Sequence, residues 1–106
     1  MTPSASRYLA AALDVCKRIE DAEVPQITAA AELIAESIAG GHRWWAFGTG
    51  HSHILAEELW GRAGGIAEVH AILEPSLMLH EGLPKSSAME RLPGLAGVLA
   101  DVHGIA

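Results

Sequence analysis

The feature that most constrains this chain is a glycine turn between an apolar run and a helical pattern. The run from Arg43 to Phe47 contains both neighbouring tryptophans and ends at Gly48-Thr49-Gly50. Ser52 follows, where residues with helical spacing begin, and Thr49 and Ser52 add hydroxyl groups. Glycines let the backbone pass close to a ligand, and a helix start presents unpaired N–H groups. The order of strand, glycine turn and helix therefore predicts an anion site that suits a phosphate or a phosphorylated sugar.

The composition disfavours several other classes of protein. The formal net charge of the 106 residues is −6, whereas a nucleic-acid surface needs clustered lysine and arginine. Half of the residues are hydrophobic, which argues against disorder. No apolar run reaches the length of about 18 residues that indicates a membrane span, and no basic-then-apolar leader is present. We therefore expect a cytoplasmic protein that binds neither nucleic acid nor membrane. Because cysteine is among the residue types most often buried, we also expect Cys16 to be a buried thiol.

The order of the predicted helices and strands favours an α/β fold. Apolar residues recur at helical spacing from Tyr8 to Ile19, and a second helix runs from about Pro25 to the stop at Gly40-Gly41. The patterns that follow predict a strand at 43–47, a helix at 52–63, a strand at 68–73 and a helix at 86–100. Alternation of strand and helix is typical of a parallel sheet with crossover helices.

Two strands are too few for a stable sheet, because three or more are generally needed. We therefore expect one partial domain over 1–106, with a helical hairpin at 1–40 and the first part of a parallel sheet at 43–106. Such a piece is expected to associate with itself, to swap elements or to belong to a longer polypeptide. We also expect it to be inactive alone.

Six histidines in 106 residues raise the question of a metal site. His51 and His53 are two residues apart, so they converge on one ion only if the loop bends suitably. No His-x-x-x-His pair lies inside a predicted helix. We expect His51, His53 and His80 to line a ligand pocket, and we expect no metal and no cofactor. A metal-dependent enzyme built on the histidines is the alternative, which zinc analysis would test.

Four residues are candidates for acid/base catalysis. Glu58 lies in the third predicted helix, and Glu74 ends the second strand, where α/β sheets place their ligand crevice. His80 and Glu81 follow in the next loop as an imidazole beside a carboxylate. The alternative for Glu58 is a structural one, because acidic side chains near a helix N-terminus stabilise the helix without any chemistry.

Taken together, three motifs resemble the sugar isomerase (SIS) domain superfamily. They are Phe47-Gly48-Thr49-Gly50-His51-Ser52-His53 with Ala56-Glu57-Glu58, then Arg62-Ala63-Gly64-Gly65, and then Leu73-Glu74-Pro75-Ser76-Leu77-Met78-Leu79-His80-Glu81-Gly82. The likeness covers essentially all 106 residues and points to an uncharacterised branch related to phosphoheptose isomerase.

The resemblance implies a flavodoxin-like parallel sheet, phosphosugar binding at the carboxyl ends of the strands, and sites shared within a homo-oligomer. Ser52 matches the phosphate-binding serine of the superfamily, and Gly48 and Gly50 match the glycines of its loop. The metal-binding histidine and catalytic glutamate of phosphoheptose isomerases fall on Glu58 and Arg62 here. The catalytic acid of the muramic acid phosphate etherases also falls at about Arg62, so neither chemistry transfers.

The expected function is therefore phosphosugar binding as part of a sugar-phosphate isomerase or lyase. A non-catalytic phosphosugar sensor is the alternative from a different class. Ser52 is expected to bind phosphate and also to cap the helix that it begins.

Overall fold

The helices and strands follow the predicted order, and the α/β fold is confirmed. The structure, a computed structural model, describes residues 4–105. Its regular elements are α1 (Ser4–Ala22), α2 (Val24–Ala39), β1 (Trp44–Phe47), α3 (Ser52–Leu59), β2 (Val69–Ile72), α4 (Leu83–Met89) and α5 (Leu95–His103). Two single-turn 3-10 helices, Pro75–Leu77 and Leu79–Glu81, connect β2 to α4. The chain divides into two compact units at Gly40–Gly41.

The first unit consists of α1 and α2. Pro25 lies in the first turn of α2, where its missing N–H and fixed φ suit a helix start. None of the described residues of either helix is buried, and Tyr8 and Leu13 of the predicted apolar stripe are 73% and 69% exposed. Cys16 is exposed as well, so the expectation of a buried thiol is wrong. No helix within residues 4–105 combines the length and the apolar character that crossing a bilayer requires.

The second unit is a parallel pair of strands with helices on both faces. β1 pairs with β2 in a register that matches Trp44 with Val69 and Phe47 with Ile72. Successive side chains of a strand point to opposite faces. Ala46 and Val69 therefore pack with Ala56 of α3, while Ile72 packs with Leu77 and Leu99 on the side of α5. Within residues 4–105, β1 pairs with β2 alone.

The third helix is shorter than predicted. It ends at Leu59 rather than at Ala63, and Trp60 already has extended backbone angles (φ −102°, ψ 142°). Gly61 follows with φ at +71°, a conformation that glycine adopts without steric cost. The apolar pattern alone did not reveal this stop.

The single helix predicted over 86–100 is two helices, so that prediction is wrong. α4 ends at Met89 and α5 begins at Leu95. Pro93 lacks the N–H that a continuous helix needs, and Gly94 at the start of α5 has φ at +87°. The chain turns between the two helices. Glu90, the C-cap residue of α4, lies in the irregular segment that joins them.

Candidate functional site

The glycine turn after β1 is fixed by two close approaches of the backbone. Gly48 is buried, and a Cβ built on it would lie 2.8 Å from the backbone nitrogen of His53 and closer still to the carbonyl group of Ser52. Gly50 has φ at +54°, and its N–H donates to the carbonyl oxygen of Leu77 at 2.9 Å. The turn after β1 is thereby joined to the segment that follows β2. Both segments border the carboxyl edge of the sheet.

The Ser52 side chain at the start of α3 has no hydrogen-bond partner within residues 4–105. His51 is the N-cap residue and makes no side-chain capping bond. The backbone N–H of Ser52 donates to Thr49 at 3.0 Å, and that of His53 donates to Gly50 at 3.3 Å. Ser52 is therefore not the cap that we expected, and its exposed hydroxyl makes no hydrogen bond within the described residues. That hydroxyl is available to a ligand.

His53 is a buried histidine whose ring nitrogens both lack a hydrogen-bond partner in the described part of the chain. The residue is 4% exposed and lies on the same buried face of α3 as Ala56. Its Nε2 is 3.5 Å from Glu57 Oε2, which is longer than a normal hydrogen bond. A buried polar group without a partner costs about 1–3 kcal/mol. His53 therefore has hydrogen-bonding capacity that a ligand or further chain could use.

Glu74 is held as an ionised carboxylate at the carboxyl end of β2. Its Oε1 accepts from Ser76 Oγ at 2.7 Å and from the Ser76 N–H at 3.2 Å. These bonds, the hydroxyl first, lower the pKa of Glu74 below its ordinary value; partial burial opposes them and the charge of Lys85 adds to them. An ionised carboxylate accepts hydrogen bonds, so Glu74 suits a hydroxyl acceptor. The lowered pKa makes it a weaker base than an ordinary glutamate.

We expect Ser76→Ala to raise the pKa of Glu74 toward the ordinary value of about 4.3. The folded-state pKa is lowered, so the stabilisation that Ser76 provides is complete above that ordinary value and is lost as the pH falls through the folded-state pKa. Side-chain carboxyl NMR titration measures the change directly. Ser87→Ala, in the exposed part of α4, is the control and should leave the pKa of Glu74 unchanged. An unchanged pKa in Ser76→Ala would contradict the assigned cause.

The other acid/base candidates lie on exposed segments with local partners. Glu58 pairs with Arg62, which follows the end of α3, and Glu81 pairs with Lys85 at 3.2 Å. His80 is exposed within the second 3-10 helix. Exposed ion pairs at this spacing contribute little to stability. The structure joins none of these three residues to the glycine turn through a hydrogen bond within the described range.

Glu90 is a site residue that sequence analysis missed. Thr49 Oγ1 donates to Glu90 Oε2 at 2.9 Å across a separation of 41 residues. Both side chains line a cavity of about 150 Å³ whose other walls are Phe47, Leu77, Leu92, Gly94, Leu95, Ala96 and Leu99. The only signal in the sequence was Pro93-Gly94, which ends the helix pattern close to Glu90 and turns the chain there.

Two further histidines pack around Trp45 instead of joining the turn. The ring centroids of His70 and His103 are 5.3 Å and 5.7 Å from that of Trp45. Nowhere in residues 4–105 do three histidine, cysteine or acidic side chains lie close enough to hold a metal ion together.

Comparison with known proteins identifies the relatives of the chain. The profile described as SIS domain matches residues 7–106. A UPF0309 protein of Halalkalibacterium halodurans is 39% identical over 105 residues, one of Streptomyces coelicolor is 37% identical over 99 residues, and one of Brucella ovis is 40% identical over 105 residues. These matches cover 99%, 92% and 99% of this chain but only 43%, 39% and 43% of the relatives. The chain thus spans less than half the length of these relatives.

Proposed function

Because the chain belongs to the SIS domain family, we propose that it supplies the phosphate-binding turn of a phosphosugar-binding domain. SIS domains generally bind phosphosugars. The observation that carries the proposal is the turn itself. Gly48 lies against the backbone of the first turn of α3, and the Ser52 hydroxyl at that helix start has no partner among the described residues.

The chemistry of the turn suits a phosphoryl group. A helix N-terminus carries roughly half a positive charge, which favours an anion. The Ser52 hydroxyl adds one donor, and the His51 N–H has no acceptor among the described residues. In this proposal Gly48 and Gly50 give the turn its shape, while Thr49 and His53 border the sugar. No metal and no cofactor takes part.

We propose that the complete protein is a sugar-phosphate isomerase or lyase in which an acidic side chain moves a proton. Glu74 is the first candidate by position, because it follows β2 at the carboxyl end of the sheet, where a base can reach a bound ligand. Glu58, His80 and Glu81 are further candidates for this role. The alternative is a non-catalytic phosphosugar sensor. In a sensor, the Glu74 carboxylate that Ser76 holds would serve only as an acceptor for a sugar hydroxyl. NMR exchange of the proton beside the sugar carbonyl in deuterated water would separate the two functions.

The same proposal includes the organisation of the protein. Residues 1–106 would be one partial SIS domain, in which 1–40 form a helical hairpin and 43–106 the first part of the sheet. Homo-oligomerisation would bring surfaces of two subunits together around the site. The exposed apolar residues of α1 and α2 favour such packing.

Ser52→Ala is expected to weaken the binding of glucose 6-phosphate while leaving stability almost unchanged. A hydrogen bond to a charged group contributes about 1.5–3 kcal/mol, which corresponds to a loss of at least tenfold in affinity. Because Ser52 makes no capping bond, its loss should change the free energy of unfolding by less than about 0.5 kcal/mol. Isothermal titration calorimetry and urea denaturation measure the two quantities.

Ser87→Ala is the matched control, because it removes an exposed helical hydroxyl from the same unit. It should leave the affinity for glucose 6-phosphate unchanged. If the native chain and Ser52→Ala bind glucose 6-phosphate with equal affinity, Ser52 does not contact the phosphate. Equal affinity for glucose 6-phosphate and unphosphorylated glucose would contradict the whole proposal.

A further inference from the structure

Thr49 and Glu90 form a link between two distant parts of the second unit. Among the described residues theirs is the only hydrogen bond joining two side chains more than four positions apart. Thr49 belongs to the turn after β1, and Glu90 follows α4. The bond therefore sets the position of a carboxylate beside the proposed phosphate-binding turn.

The hydrogen bond determines what this pair can offer to a ligand. A threonine hydroxyl has a single proton, and here Thr49 donates it to Glu90. Thr49 then presents only lone pairs, and an ionised Glu90 also presents only lone pairs. The pair can accept hydrogen bonds from hydroxyl groups but cannot donate to a phosphoryl oxygen. Its chemistry is thus opposite to that of the Ser52 hydroxyl.

The charge balance around the pair also disfavours an anion. The cavity that Thr49 and Glu90 line is also lined by Gly94 and Leu95, at the start of α5. That helix start supplies roughly half a positive charge. Arg91 lies 3.9 Å from Glu90 Oε1, but its side chain is 73% exposed, so solvent screens the pair. Glu90 is the only charged residue among those that line the cavity. A neutral group is therefore preferred here over an anionic one.

The size and walls of the cavity suit the hydroxylated part of a small ligand. Its volume is about 150 Å³, below the range of about 300–1,000 Å³ for sites that hold a whole drug-sized ligand. Thr49 and Glu90 are its only polar side chains, and the other lining residues are apolar or glycine. A few convergent polar groups in an otherwise apolar cavity are typical of small-molecule sites.

We infer that Thr49 and Glu90 bind the hydroxyl groups of the sugar, and that the Glu90 carboxylate excludes ligands whose end distant from the phosphate is acidic. The inference rests on the proposed function, since it places the phosphoryl group at Ser52. Thr49 and Ser52 belong to one turn, since the Ser52 N–H donates to the Thr49 carbonyl at 3.0 Å. Glu90 is thus a specificity-determining residue that selects neutral sugar phosphates over phosphorylated sugar acids.

Glu90→Gln tests the inference, since it keeps an acceptor for Thr49 and removes the charge. Three probes are titrated by calorimetry: glucose 6-phosphate, 6-phosphogluconate and inorganic phosphate. The native chain should bind glucose 6-phosphate at least about tenfold tighter than 6-phosphogluconate, because like charges brought together are costly. Glu90→Gln should reduce that ratio to less than about threefold, mainly by tighter binding of 6-phosphogluconate.

Two further variants keep the test decisive. Glu68→Gln removes one exposed carboxylate from the same unit and should leave the ratio as in the native chain. Thr49→Val removes the hydrogen bond that positions the carboxylate, so it should weaken glucose 6-phosphate binding and reduce the preference over 6-phosphogluconate. It also provides the answer if Glu90→Gln fails to fold, because a full native preference in Thr49→Val would contradict the positioning of the carboxylate by Thr49.

The outcomes separate this inference from the proposed function. If the native chain binds glucose 6-phosphate and Glu90→Gln retains the native ratio, the role of Glu90 is wrong and phosphosugar binding stands. The role of Glu90 is also wrong if the native chain binds 6-phosphogluconate as tightly as glucose 6-phosphate. If neither the native chain nor the complete protein that contains it binds any of the three probes, both the inference and the proposed function are wrong.

Discussion

Gly48→Ala is expected to destabilise the second unit by about 3 kcal/mol, the upper end of the usual range for overpacking. The added Cβ would meet the Ser52 carbonyl group and lie 2.8 Å from the His53 backbone nitrogen. These are backbone atoms in the first turn of α3, so a side-chain rotation cannot relieve the contact. The start of α3 would have to move away from β1. Urea denaturation followed by circular dichroism measures the loss.

Gly97→Ala is the matched control for this substitution. Gly97 lies inside α5, and a Cβ built on it meets no atom within 4 Å. Alanine is preferred over glycine in a helix interior by about 1 kcal/mol, so this variant should gain stability. The two glycine-to-alanine changes are thus expected to have opposite signs. Equal stability of the two variants would mean that the turn after β1 tolerates a side chain at Gly48.

The sequence predicted the elements whose signals are local. The apolar run before Gly48 forms β1, and the helix after it begins at Ser52 as expected. The fourth helix was wrong because Pro93 and Gly94 were read as part of a continuous helical pattern. Proline and glycine in succession favour a break, so this error was avoidable from the sequence.

The site was less predictable, because its contacts depend on tertiary structure. The bond between Glu74 and Ser76 joins residues two positions apart, so a turn of this kind is open to sequence reasoning. The bond between Thr49 and Glu90 exists only because the chain reverses after α4. The burial of His53 likewise depends on how α3 packs on the strands, which periodicity in a helix of eight residues does not determine.

The unpaired edge of β1 predicts that the 106-residue chain associates with itself. In the described residues β1 pairs only with β2, so its other edge presents unpaired backbone groups. Phe47 at the end of β1 is 50% exposed. It borders an apolar groove of about 220 Å³ that Trp45 and Leu99 also line. An edge of this kind is a template for pairing with another chain.

We therefore expect the 106-residue chain at micromolar concentration to sediment as a species larger than its monomer mass of 11.1 kDa. Phe47→Lys should shift the chain toward the monomer, because charged side chains on an edge strand oppose pairing. Val102→Lys is the control, since Val102 is 76% exposed on α5 and does not line the groove. Analytical ultracentrifugation distinguishes the species. A native chain that is monomeric at this concentration would contradict the prediction. If Phe47→Lys leaves the association unchanged, the contact between chains lies on another surface, such as the exposed apolar residues of α1 and α2.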